Sequence, residues 1–597
     1  MKNIIFYAVL LCAVCVGANP LGFTAYEQSF TVEFADEKAA VEAQLVPRGL
    51  PAKYAVALSS RWDDTDKRHL NTLKVMKKNG AKGNFYINGD MKRDLSLLKD
   101  ILRDGCLAGV HTVNHFAMKH LAGNEHFYEY MANRIAIEVR SQTPVNTQTS
   151  PYGQIRGASD IGTKTIGRAL MATGVIGSPD SNTPKHTDEL GYPANSCFFM
   201  YRINSGDRVP DMKRFNTLLN SYLKNPDLAK NPAISMSTHS WHTPEGLKIL
   251  DEMYRILTSN KDWWNCNQNE YAAYRYEALN TKVKKQVTGK TVKFTVLRFE
   301  PFELGAELPL YLDITGAVAQ KADQAEVTDN GKQIKLNHKS GHTLPDKYGY
   351  LKLDGVELKL AVSENDGKVT AEVANASGKA VKDVTLTFRN APKYKKITSR
   401  VQLKEIGKDA KVTEDLGGIY NDSRHYTEGR AYFAVQMDYT VDGKRHRLYA
   451  DTFGKAKTFD RLSLSEAMTV YKRPKNWKEG EKLSLPTEDI SSYKLEKAKI
   501  IRRPVCTEGA FYPGKTVSTG FIAVAEFESD KEQTVSGRIY ISGKPGETVL
   551  YLNGKQLPGK RKSAVKINVL KGRNRLVVSS SPSGSVTFMP DVNYIKK

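Results

Sequence analysis

KYAVALSSRWDD, residues 53–64, is a short apolar run that ends on two adjacent aspartates. A run of about four to eight apolar residues followed by polar ones reads as a buried strand. The strand fixes the direction in which the chain leaves, so Asp63 and Asp64 are held at its C-terminal end. Outward from there the texture repeats. DKRHLNTLKVMKKNG (66–80) has helical periodicity closed by Gly80, and AKGNFYING (81–89) is a strand. LSLLKDILRDG (95–105) is a helix, CLAGVHT (106–112) a strand and HFYEYMANRIAIEVRSQT (126–143) a helix. TIGRALMATG (165–174), MKRFNTLLNSYLK (212–224), NPAISMSTHSW (231–241) and PEGLKILDEMYRILTSN (244–260) continue the alternation. Repeated strand–helix units predict a parallel sheet or barrel, with chemistry at the C-terminal ends of the strands.

Near residue 285 the pattern turns to strands. TVKFTVLRF (291–299), VELKLAVS (356–363), KVTAEVAN (368–375), DVTLTFRN (383–390), AYFAVQMDYTV (431–441) and HRLYADTF (446–453) are short β runs. Asn330-Gly331, Asp354-Gly355, Asp366-Gly367 and Asp442-Gly443 are hairpin signals between such runs. One or two antiparallel sandwiches are expected over 286–480. A polar, proline-bearing linker follows, then a last module over 500–597 whose Asn553-Gly554 hairpin and closing strand resemble jelly-roll, galactose-binding-like domains.

At 597 residues the chain is long enough for several domains. MKNIIFYAVLLCAVCVGANP has a Lys2 n-region, an apolar stretch and a small-residue end. It predicts a signal peptide over 1–18, cleavage after Ala18 and export to the periplasm, cell surface or medium. No later segment approaches the ~20 apolar residues of a membrane span, so no stable membrane insertion is expected. Four cysteines remain, Cys106, Cys197, Cys266 and Cys506; buried free thiols are expected, with Cys197–Cys266 the one bridge to consider. The net charge of +23 is spread along the chain rather than gathered in a block; it suits general solubility as well as contact with extracellular polyanions, names no substrate, and no nucleic-acid partner is expected. Nothing in the sequence sets the oligomeric state.

HTVNH (111–115) supplies the second station. Its histidines are four apart, which on a helical turn places both rings on one face. An aspartate and two histidines with an open position are the ligand set of catalytic zinc, and the second aspartate stands ready for proton transfer. The pattern points to a metal-dependent hydrolase.

These stations, in this order, resemble the polysaccharide deacetylases of the NodB-homology class, carbohydrate esterase family 4. RWDD (61–64) is similar to the family's first motif, usually TFDD, and HTVNH to its second. TSPYG (149–153) looks like the third, R-x-P-Y-G, and STHSW (237–241) stands where the last histidine is expected. The resemblance covers about residues 50–280. It implies a distorted (β/α) barrel over 26–285 that removes N- or O-linked acetyl groups from an extracellular polysaccharide. It implies Asp63 as the base acting on a metal-held water, and Asp64, His111 and His115 around a divalent metal, zinc first and cobalt or a similar ion next. The Tyr152 backbone N–H is the implied oxyanion donor, Pro151 beside it a substrate-binding residue, and His239 the leaving-group acid, with His242 its rival. Trp241 is the candidate sugar-stacking wall, Asp66 an outside candidate for the metal, and Thr112 a hydrogen-bonding member of the histidine loop. His69 and His120 are read as ordinary helix or core residues.

Three departures stand out. Thr149 occupies the third motif's arginine position, leaving Arg61 or Arg156 to supply a guanidinium. Ser237 replaces a leucine, and Trp62 a phenylalanine. The missing arginine motivates a second reading, a carbohydrate-binding protein with weakened catalysis.

Overall fold

The structure, a computed structural model, describes residues 21–102, 105–116, 118, 123–153, 155, 160–178, 185–225, 232–339, 354–363, 368–390, 394–397, 400–421, 431–454, 469–472, 505–507, 510–512, 521–529, 531–542, 549–557, 563–580 and 585–590. The leader at 1–18, the linker, the Asp366-Gly367 turn, His120 and Arg156 lie outside the described residues.

Two short strands, β1 (Ala25–Phe34) and β2 (Gln44–Pro47), precede a parallel sheet. Its members are β3 (Val56–Asp63), β4 (Asn84–Ile87), β5 (Leu107–Val110), β6 (Tyr201–Ile203), β7 (Ala233–His239) and β8 (Trp263–Asn265). The order is β5-β4-β3-β7-β6, with β8 on the first residues of β3, and every pairing is parallel. Single parallel bridges, Val110 to Gln148, Thr147 to Gly177 and Gly177 to Phe198, continue beyond β5 toward the segment that enters β6. All eight residues of β3 are buried, as a parallel strand covered on both faces requires. Because all strands run the same way, Asp63, His239 and the histidine loop after β5 emerge at one edge of the sheet.

Side chains alternate along β3. Val56, Leu58 and Trp62 pack outward with Leu73, Met76, Leu250 and Met253 of the flanking helices. Trp62 is fully buried and its Nε1 reaches Met76 Sδ at 3.1 Å. Ser59, Arg61 and Asp63 face the other way, beside Ser235, Ser237 and His239 of β7 in register. This inner face is polar, and the start of helix 268–280 satisfies it. Gln268 accepts from Tyr86 and donates to Ser60 O and Ser235 Oγ; Asn269 accepts from Thr147 and Asn84. Cys106, Cys197 and Cys266 are free and buried, so the Cys197–Cys266 bridge does not form.

The change of texture at 285 is not a boundary in pairing. β1 pairs along its length with β10 (Thr291–Phe299), itself paired with β9 (Val283–Thr288), and β2 pairs with Leu310–Thr315. Residues before the parallel sheet and residues after it therefore build one antiparallel unit of two four-stranded sheets. Local pattern could not show this, because the partners are far apart in sequence.

Residues 356–454 contribute two further four-stranded antiparallel sheets, and 469–590 two five-stranded ones. Asp442-Gly443 and Asn553-Gly554 turn their hairpins with positive φ at both residues, as two-residue turns of that kind require. Thr469–Lys472, inside the 286–480 span, pairs with Phe521–Ser529 of the last module. The first sandwich rests on helix 123–141 through a buried ion network. Glu138 accepts from Arg134 at 2.8 Å and from the Tyr449 hydroxyl at 2.5 Å, and Arg447 lies 3.5 Å away while also binding Asp438.

Candidate active site

Arg61 and Asp63 are two residues apart on a strand and so share a face. Arg61 Nε reaches both carboxylate oxygens of Asp63, at 2.9 and 3.0 Å, and its Nη2 reaches Oδ2 at 2.5 Å. Both side chains are buried. Burial would raise the Asp63 carboxyl, but Arg61, then His111, outweigh it and hold the group well below the usual carboxylate range. The guanidinium that Thr149 does not offer thus arrives from β3 itself. Ser237 is the register partner of Arg61 on β7, and its small side chain leaves room beside the long one. Two departures from the family pattern become one accommodation.

Thr149 is not idle. Its carbonyl oxygen lies 3.0 Å, and its hydroxyl oxygen 2.6 Å, from His111 Nδ1, and the hydroxyl donates to Asp63 Oδ1 at 3.2 Å. The carbonyl only accepts, so Nδ1 carries the proton and Nε2 presents a lone pair. That Nε2 is buried without a hydrogen-bond partner and points at Asp64, 3.6 Å from its Oδ1. His115 Nε2 is 3.1 Å from the same oxygen, and the three ligand atoms lie within 4.8 Å of one another. An unsatisfied imidazole nitrogen, a second imidazole and a carboxylate converging on one point fit a divalent cation. Asp66 is engaged by Arg68 and stays outside this cluster.

The two histidines do not meet on a helical turn. Residues 111–116 form a loop in which Thr112 and His115 take φ of 70° and 57°, and the Thr112 hydroxyl accepts the His115 N–H at 3.1 Å. The loop is clamped from helix 123–141. Glu129 accepts from Asn114 N and Nδ2 at 2.8 and 2.6 Å, and Asn133 accepts the His111 N–H at 2.9 Å. Burial pushes Glu129 up to about 7 against those donors.

Asp64 (φ 76°) and Tyr152 (φ 62°) are also left-handed, so four site residues hold a backbone state that costs non-glycine residues ~1–3 kcal/mol each. Such strain persists only where surroundings enforce it. Tyr152 sits over His115, ring centroids 5.0 Å apart, on a turn whose Pro151 is buried.

His239 is the histidine that faces the cluster, its Nε2 3.9 Å from Asp64 Oδ2. Its Nδ1 and backbone N each lie 3.1 Å from Asp207 Oδ1. His242 instead packs edge-on against Trp62, and burial pushes it down to about 4. Trp241 stacks on His239 at 4.1 Å with an 11° interplanar angle, so one of its faces supports the imidazole and is not open to a sugar. Sequence reasoning missed Asp207, which follows a strand of only three residues, whereas His69 was read as an ordinary helix-surface or core residue. His69 is fully buried, with burial pushing it down to about 4. Its Nδ1 is 2.7 Å from Ser240 Oγ and its Nε2 2.6 Å from Asp64 O.

Residues 55–168 match the sequence profile of the polysaccharide deacetylase family. Among solved structures the chain is similar to a family 4 carbohydrate esterase from Streptomyces lividans in complex with acetate, at 15% identity over 36% of this chain and 91% of that one, TM-score 0.25. It is similar to the peptidoglycan deacetylase PdaC of Bacillus subtilis at 13% identity over 38% and 93%, TM-score 0.25. A CE4 family pseudoenzyme from Bacillus anthracis is similar at 17% identity over 37% and 66%, TM-score 0.25. No curated protein matches the chain. The paired aspartates, the histidine loop and the Pro-Tyr-Gly turn thus lie within a polysaccharide deacetylase domain at residues 55–168.

Proposed function

We propose that the protein is a metal-dependent hydrolase that removes acetyl groups, N- or O-linked, from an extracellular polysaccharide. The observation that carries this reading is the convergence of Asp64, His111 and His115 beside a second, arginine-clamped carboxylate. Asp64, His111 and His115 would hold the ion, zinc or cobalt, which supplies Lewis acidity to the acetyl carbonyl and acidity to water. Asp63 takes a proton from the attacking water as the new C–O bond forms. Arg61 and the Thr149 hydroxyl keep its carboxylate ionised and aimed. The Tyr152 backbone N–H is assigned to the developing oxyanion. His239, paired with Asp207, gives a proton to the departing nitrogen or oxygen as the C–N or C–O bond breaks, leaving acetate and the free amine or hydroxyl.

The rival reading, a carbohydrate-binding protein with weakened catalysis, was motivated by Thr149; the Arg61–Asp63 contact supports the hydrolase over it. The leader expected over residues 1–18 supports export and, with it, a substrate outside the cell. The test is acetate release from chitooligosaccharides, peptidoglycan and acetylxylan by metal-stripped protein with and without zinc. Zinc-dependent release, abolished in Asp63→Asn with metal still bound, is expected. Full activity in that variant would sink the assignment of the base.

A further inference from the structure

We propose that His69 is a positioning residue that ties the backbone of Asp64 to the loop carrying His239, so that the metal side and the leaving-group side of the site keep a fixed spacing. The inference rests on the function proposed above. The Asp64 carbonyl can only accept, so His69 Nε2 donates to it at 2.6 Å. The neutral ring then has a bare Nδ1, and the Ser240 hydroxyl donates to it at 2.7 Å. Ser240 is buried and follows His239 directly. Asp64 is the left-handed residue at the end of β3, and the imidazole holds its carbonyl in that strained setting. Phe85 packs edge-on at 4.9 Å, leaving His69 fully buried between β4 and the site. Any buried imidazole needs partners for its ring nitrogens; what sets this one apart is where its partners lie. This one spans two strand ends, of β3 and β7, at the point where they must cooperate.

The two legs can be cut separately in the full-length protein. His69→Gln places an amide nitrogen near the Nε2 position and keeps the donor to Asp64; His69→Asn reaches only the Nδ1 position and loses it. Ser240→Ala removes the second leg alone. Two readouts are taken: cobalt(II) affinity from visible absorbance, and kcat on an N-acetyl glycan against 4-nitrophenyl acetate, whose leaving group needs no proton. His69→Asn is expected to bind cobalt about tenfold more weakly, in line with lost outer-shell support of a ligand. His69→Gln and Ser240→Ala should bind it like wild type. Both should lose about tenfold in kcat on the amide, with KM unchanged, and keep aryl-ester turnover within about twofold. Wild-type cobalt affinity in His69→Asn overturns the first leg, and equal losses on amide and ester in Ser240→Ala overturn the second. If His69→Asn does not fold, Ser240→Ala and His69→Gln still decide the second leg, and weakened cobalt binding in His69→Gln would also refute the first. Wild-type protein that takes up no cobalt would refute the metal reading itself, a result distinct from any difference among the variants.

Discussion

Replacing Arg61 with methionine keeps most of the stem and deletes the guanidinium. Three contacts of 2.5 to 3.0 Å to Asp63 vanish, and the carboxylate is left in a site where it is only 5% exposed. Removing one partner of a buried ion pair costs ~3–5 kcal/mol, because the survivor is stranded. The Thr149 hydroxyl remains at 3.2 Å, and the charge of Arg202 remains as well, so the low end applies, about 3 kcal/mol. The sign with pH is fixed by the depressed carboxyl. The stabilisation is complete above the unfolded-chain value of about 4 and is lost as pH falls below it, so the variant's deficit shrinks in acid. Asp63 in the variant should also protonate in a range where activity is measurable, moving the acid limb of the rate profile upward. Four of the five tryptophans, at 62, 241, 263 and 264, lie in or beside the parallel sheet, so fluorescence-detected urea unfolding follows this unit. The double variant Arg61→Met with Asp63→Asn should recover most of the loss. A deficit under about 1 kcal/mol at pH 7, or a double variant as unstable as the single one, would refute the idea that the pair is an obligate buried unit.

Glu129 is raised from 4.5 to about 7 in the folded protein, so its stabilisation is present below pH 4.5 and is lost as pH rises through 7. That slope, roughly 3 kcal/mol in all, should be absent in Glu129→Gln when unfolding is compared at pH 5 and pH 8. Asp207→Asn should leave zinc content unchanged while lowering deacetylation about a hundredfold, with a smaller loss on 4-nitrophenyl acetate; equal losses on both substrates would contradict its role behind His239.

The strand ends were legible because short stretches with apolar residues alternate with helical periodicity, and Asp63, Asp64, His111 and His239 stand at or just past the ends of such stretches. The pairing of Arg61 with Asp63 was in the sequence as well, in the two-residue spacing of a strand, but spacing alone does not show that the guanidinium turns back onto the carboxylate. HTVNH misled because four-residue spacing fits a helical turn equally well, and left-handed residues cannot be read from Thr or His. Asp207 lay hidden after β6, too short to declare itself, and His69 looked like any residue at a helix start. The pairing of β1 with β10 leaves no local trace at all.

That last pairing has a consequence for how the protein is made. β1 emerges from the ribosome roughly 260 residues before its partner, a wait of roughly 13–50 s at ordinary rates of synthesis. Through that interval Phe30, Val32 and Phe34, buried in the finished fold, have no β10 to cover them, and an open apolar strand edge invites pairing with the wrong neighbour. Any fragment cut near 285 makes the interval permanent. A workable expression boundary therefore lies past Leu336, where the last strand of the β1–β2 unit closes.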